Sequence, residues 1–118
     1  MDLMYSYSHA KPLFVTYTRH LGQKVYTINF NVEEVNESDL YECKFRYNTV
    51  TLPVGRYDRA TVISAIIRQR YSDDEMQAII NNYLLDPNNS EAVVEFNEMQ
   101  EYRKHAKNIA DQFLQEIA

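Results

Sequence analysis

The sequence predicts an α+β fold: a small antiparallel sheet of three or four strands over residues 13–54, packed against three helices over about 59–71, 73–85 and 91–117. Period-two alternation of apolar side chains is confined to the first half, and spacing of three and four to the second. Strands and helices are not interleaved, which separates this layout from the parallel sheet of a βαβ chain. At 118 residues and 45% hydrophobic content the chain fits one domain over residues 1–118 with a single core.

Residues 1–12, MDLMYSYSHAKP, read as an extended arm that either pairs at a sheet edge or stays mobile. Leu13 to Thr18 is rich in β-branched and aromatic residues, and Lys24 to Val32 alternates Tyr26, Ile28, Phe30 and Val32 against Thr27, Asn29 and Asn31. Between them RHLGQ, with Gly22, predicts a hairpin with a short loop. Glu33 to Asp39 is an acidic connection. The next strand alternates Tyr41, Cys43, Phe45 and Tyr47, but beyond Asn48 the apolar positions change parity to Val50, Leu52 and Val54. A parity change within a straight strand turns the apolar set to the other face. A bulged long strand or a tight hairpin at Asn48–Thr49 accommodates it, and the hairpin, preferred here, makes four strands.

Asp58 is a good N-cap, and Val62, Ile63, Ile66, Ile67 and Tyr71 place an apolar face on a helix from about Arg59 to Tyr71. Ser72 and Glu75 form a capping box for a second helix, with Asp73 and Asp74 in its first turn and Met76, Ile79, Ile80, Tyr83 and Leu84 as its stripe. This pair reads as the floor on which both halves pack. DPNNS then breaks the chain, with Ser90 as the expected cap of a last helix. Its stripe, Ala92, Phe96, Met99, Tyr102, Ala106, Ile109, Phe113 and Ile117, extends about 40 Å at 1.5 Å per residue. Two shorter helices of about 20 Å cannot cover it. The sheet of the same chain or a second copy about a two-fold axis would do so. A homodimer is the expectation, with Tyr102, Ile109, Phe113 and Ile117 as its interface.

The net charge of −5 falls entirely in residues 57–118, which therefore repel nucleic acid. No apolar run is long enough to span a bilayer and no signal-peptide pattern opens the chain, so a cytoplasmic protein without a membrane partner is expected. Cys43 is the single cysteine, which excludes an intrachain disulfide and a cysteine zinc site, and its parity places it in the core. His9, His20 and His105 show no ligand spacing, and capping accounts for Asp73, Asp74 and Glu75, so neither a metal nor a cofactor is expected. Glu33, Glu34, Glu37 and Asp39 read as a solvated loop. Ten tyrosines stand against no tryptophan. Those of the β half interleave with Lys11, Arg19, Lys24, Lys44, Arg46 and Arg56, the mixture of a base-stacking sheet. Tyr26, Tyr41 and Tyr47, however, share parity with apolar residues and are expected in the core. No P-loop, GxSxG, Rossmann or RNP-like pattern occurs. No catalytic residue is expected. These readings favour a non-enzymatic protein–protein interaction or assembly module, with a nucleic-acid-binding sheet as the alternative.

The run LPVGRYDRATVISAIIRQRYSDDEMQAIINNYL, followed by EMQEYRKHAK, resembles small uncharacterised proteins encoded by phages and prophages of gut Bacteroidales, over residues 52–107. Tyr102, Arg103 and Lys104 are also similar to a short element in the C-terminal helix of phage tail-assembly proteins. The resemblance implies a role in virion assembly or in contacts with phage or host proteins, and implies no catalytic residue.

Overall fold

In the computed structural model, which describes residues 3–35 and 44–118, strands precede helices as the periodicity predicts. The order is β1 Ser6–Ser8, β2 Val15–His20, β3 Gln23–Glu34, β4 Phe45–Thr51, α1 Arg59–Arg68, α2 Asp73–Leu85 and α3 Ser90–Ile117. One antiparallel sheet runs β1-β4-β3-β2. The expectations for Glu37, Asp39, Tyr41 and Cys43 lie outside the described residues. Pairing of His20 with Gln23 leaves Leu21 and Gly22 as the β2–β3 loop, with φ of 51° and 81°. Two positive φ values define a type I′ turn, whose twist matches that of the strands it joins.

The sheet has four strands, but the fourth comes from a different place than the parity change suggested. β4 runs unbroken through Asn48 and Thr49, with no hairpin there, and the arm supplies β1 by pairing Ser6 with Tyr47 and Ser8 with Phe45. The parity change arises because Asn48 holds a core position of β4, in line with Val50 and Leu52, while Phe45 and Tyr47 face the other way. Tyr47 is therefore half-buried on the opposite face of the sheet rather than in the core. The irregularity sits on the neighbouring strand, where the register shifts between Phe30 and Glu33. There Asn31 and Val32 oppose Tyr47 alone, and Asn31 adopts φ 56°. This is a β-bulge with its left-handed residue filled by asparagine, which tolerates that conformation better than a branched side chain.

Tyr26, Ile28 and Phe30 of β3 and Val50 and Leu52 after them meet Val62, Ile66 and Ile67 of α1 and Met99, Tyr102, Ala106, Ile109, Ala110 and Phe113 of α3. Of the expected two-helix floor, α1 supplies the fully buried part, and α2 packs on the same core only through the partly buried Met76, Ile79 and Ile80. No residue of α2 is fully buried, and it lies on α3 through Tyr83 stacked on Phe96 at 4.3 Å, leaving Leu84 and Leu85 exposed. α1 stops at Arg68, earlier than the apolar spacing suggested. Gln69 and Arg70 turn tightly onto the carbonyls of Ile66 and Ile67, because Ser72 must be extended to cap α2. The capping box of Ser72 and Glu75 and the Asp58 cap form as expected. The cap of α3 is Asn89, not Ser90: the Asn89 Oδ1 accepts from the amides of Glu91 and Ala92, and Ser90 is the first helical residue.

Candidate functional site

β3 is twelve residues long, but β2 pairs with it only as far as Ile28, with one further bond from the Asn29 amide to the Phe14 carbonyl. From Phe30 to Glu34, β3 is paired by β4 on one side, and no described strand pairs with it on the other. The Val35 amide bonds to the Lys44 carbonyl. By the alternation of an antiparallel ladder, Val32 and Glu34 therefore turn their backbone groups away from β4, toward that open side. Beside this uncovered half lies a cleft of about 680 Å³ between Lys11–Phe14, Asn29–Val32 and the α3 residues His105, Asn108, Ile109 and Gln112. Asn108 and Gln112, one turn apart, share the face of α3 that looks across it, and both are exposed. Among the described residues no carboxylate lines the cleft.

A relay of amides shapes its wall. The Asn48 side chain, 1% exposed, donates from Nδ2 to the Met4 carbonyl at 2.8 Å. Its Oδ1 must then accept, and it does so from Asn31 Nδ2 at 2.8 Å. Asn31 Oδ1 is consequently an acceptor, and His105 Nε2, 2.7 Å away, is the donor. One backbone carbonyl thus fixes the orientation of two amides and the tautomer of one imidazole. Asn29 Nδ2 donates to the Leu13 carbonyl at 2.8 Å and holds the other lip. Strain at Asn31 and a buried polar chain ending at an exposed imidazole are features that concentrate at functional sites. Just beyond the bulge, Arg46 and Glu33 pair at 2.7 Å, which raises the already high pKa of the guanidinium through the hydrogen bond and the charge of Glu33.

Of the four residues expected at an interface, Tyr102, Ile109 and Phe113 are buried within the chain. Ile117 is partly buried and packs on the same core. Tyr102 donates its hydroxyl to the Ile66 carbonyl, and burial pushes that phenol up to about 12. Phe113 meets the Tyr26 ring edge-on at 5.4 Å. Within the chain α1 receives Tyr102 and the sheet receives Phe113, so Tyr102, Ile109 and Phe113 are core residues rather than a free surface. Ile109 alone among them reaches the cleft, as part of its floor. Sequence reasoning passed over Asn31, Asn108 and Gln112. The one signal was the run of asparagines at Asn29 and Asn31 on the polar parity of β3.

A second groove, of about 710 Å³, lies between the arm and α2–α3. Of its polar groups, Glu75 caps α2 and Arg70 lies over the rings of Tyr71 and Tyr102 at 5.2 and 5.3 Å, while Asn82, Glu95 and Glu98 line the rest of it. Among the described residues no group of three His, Cys, Asp or Glu is placed to hold a metal ion, and no helix is long and apolar enough to cross a membrane. Compared with family models, curated proteins and solved structures, the chain matches none.

Proposed function

We propose that the protein is a non-enzymatic interaction module that takes an extended segment of a partner protein into the cleft between β3 and α3. The observation that carries this reading is the half of β3, facing Asn108 and Gln112, that no described strand pairs on its outer side. A segment laid antiparallel to Val32 and Glu34 adds a strand, with main-chain hydrogen bonds supplying affinity. Primary amides on a helix suit the other edge of such a segment, because each donates and accepts toward a peptide group without bringing charge. Binding rather than catalysis is favoured by the same chemistry: amides do not titrate, and the Nε2 of His105 is committed to Asn31. A role in contacts between phage or host proteins, as the resemblance of residues 52–107 implies, fits such a module.

Panning a library of random linear peptides, followed by calorimetry, tests the reading. Selected peptides should lose about tenfold or more in affinity when Asn108 and Gln112 are replaced by Ala. They should lose binding altogether when alternate peptide amides are N-methylated. Peptides indifferent to both changes would rule the strand-addition reading out.

A nucleic-acid reading has one observation in its favour, the 53% exposed ring of Tyr17 with Lys24 at 4.7 Å and Arg19 at 6.0 Å. The other exposed pairing, Arg46 over Tyr5 at 4.6 Å, lies toward β1, the opposite edge of the sheet. The central Tyr26 is buried, so no continuous stacking platform joins them. Retention on single-stranded nucleic acid that falls steeply with salt and is lost in Tyr17→Ala would favour this second reading.

A further inference from the structure

The β2–β3 hairpin ends on a residue that the fold does not use. Leu21 holds the first position of the type I′ turn at φ 51°, where asparagine or glycine sits with little strain and leucine does not. Its side chain is 92% exposed and packs on no part of the hydrophobic core. Backbone strain that packing does not require is a feature of functional positions. The loop after β4 comes to the same end of the sheet. The Leu52 amide bonds to the Tyr26 carbonyl, and Gly55 passes so close to Gln23 that an added Cβ would lie 2.9 Å from its Oε1. Val54 and Tyr57, both exposed, therefore stand beside the tip; the Tyr57 ring lies 5.2 Å from that of Tyr26, and exposed Tyr17 meets the same ring at 6.1 Å.

Charge singles out this end as well. Residues 13–32 and 44–57 contain no Asp or Glu, although the whole chain carries 17. Arg19 and Lys24 are exposed and directly opposite each other in the ladder, an unfavourable placement for like charges, and no described carboxylate forms an ion pair with either. Arg56 adds a third cation but stands near the Asp58 carboxylate, which offsets it. Glu34 is at the far end of β3, about 30 Å from Lys24 at roughly 3.3 Å per residue. At physiological ionic strength charges are screened over about 8 Å, so that acid does not cancel the cations of the tip.

We infer that this end of the sheet docks on an anionic lipid surface, with Leu21 entering the headgroup layer and Arg19 and Lys24 set against the anionic headgroups. A protein of net charge −5 approaches a negative surface through an end free of acids. The tip leucine selects lipid among anionic partners: a nucleic-acid backbone offers an aliphatic side chain nothing, whereas the interfacial layer of a bilayer takes it out of water. Tyr17 and Tyr57, apolar rings with a polar end, suit the same level. Each cation near an anionic leaflet contributes about fivefold to partitioning, so docking through two cations and one leucine is reversible. No span is needed, and no helix among the described residues is long and apolar enough to provide one. The sequence expectation of no membrane partner rested on the lack of a spanning run, which does not bear on a docked surface. The patch shares no residue with the cleft between β3 and α3, and the inference does not depend on what that cleft binds.

Co-sedimentation with sucrose-loaded vesicles tests it. The wild type should pellet with phosphatidylcholine vesicles containing about 30% phosphatidylserine and stay in solution with phosphatidylcholine alone, since the anionic lipid supplies the surface potential. Leu21→Asn suits the left-handed turn, so it should keep the fold and lower the partition coefficient about tenfold. Arg19→Gln combined with Lys24→Gln should lower it about 25-fold with an unchanged circular dichroism spectrum. The chain has no tryptophan, so Leu21→Trp supplies a single reporter, whose emission should shift to the blue on the anionic vesicles and be quenched by brominated acyl chains. A wild type that does not pellet with the phosphatidylserine vesicles overturns the inference, as does pelleting that Leu21→Asn leaves unchanged. Retention on single-stranded DNA at physiological salt that the paired Gln variant loses and Leu21→Asn keeps would assign the patch to nucleic acid instead.

Discussion

Asn48 shows how a single polar residue can serve the core instead of weakening it. Its amide is almost wholly removed from water, yet donor and acceptor are both used, toward the Met4 carbonyl and Asn31. Replacing it by Ala removes two hydrogen bonds, each worth about 0.5–1.5 kcal/mol net, since Met4 is exposed and Asn31 half-buried and both can turn to water. Urea denaturation should show that loss. It should also free the imidazole of His105, so its NMR signals should lose the single tautomer that the relay imposes. Tyr102 gives a second residue-level expectation. Burial raises its phenol to about 12, against an ordinary value near 10, while the nearby Arg70 opposes the shift. The folded state therefore holds a proton that the unfolded state releases. Its contribution to stability is complete below about pH 10 and is lost as pH rises toward about 12. Thermal unfolding followed between those values should fall more steeply for the wild type than for Tyr102→Phe, which cannot ionise.

At the scale of elements, what the sequence disclosed was what neighbours along the chain decide. The capping box at Ser72 and Glu75, the Asp58 cap and the hairpin at Leu21-Gly22 each need only a few consecutive residues, and each formed as expected. The bulge at Asn31 depends on which strand lies alongside, and nothing within β4 reveals that its apparent parity change is a buried asparagine answering a partner strand. For the same reason the cleft was not legible: Asn31 and His105 meet across 74 residues. The start of α3 is an intermediate case, since two adjacent residues could both cap it and only the backbone decides. Asn89 is extended at φ −74° and ψ 119°, and accepts two amide hydrogen bonds. Asn89→Ala should therefore cost about 0.5–2 kcal/mol, and Ser90→Ala close to nothing. Equal losses in thermal denaturation would return the cap to Ser90.

For the whole molecule, the question is what a 28-residue helix rests on. The spacing of α3 was read correctly, with Ala92, Met99, Tyr102, Ala106, Ile109 and Phe113 all buried, but the sequence could not say which surface would receive them. α3 crosses from α2 at its start, past α1, to the sheet, so three different partners cover successive parts of one stripe. That arrangement makes the stripe unequal along its length. Phe113 is 0% exposed and sits edge-on to Tyr26, at the point where helix and sheet meet, whereas Ile117 is a partly covered residue in the last turn. Truncating Phe113 to Ala removes a ring from a site closed on all sides and should cost about 3–5 kcal/mol, a large share of the roughly 5–15 kcal/mol that holds a domain together. Ile117→Ala should cost about 1 kcal/mol, since its burial is incomplete and helix ends fray. The same asymmetry governs charge: Phe113→Asp puts a carboxylate where no partner awaits it and should unfold the protein, while Ile117→Asp should leave it folded. Urea midpoints and circular dichroism of the four variants distinguish this layout from one in which α3 is an external surface. In the latter case both aspartates would be tolerated and Phe113→Ala would be as mild as Ile117→Ala.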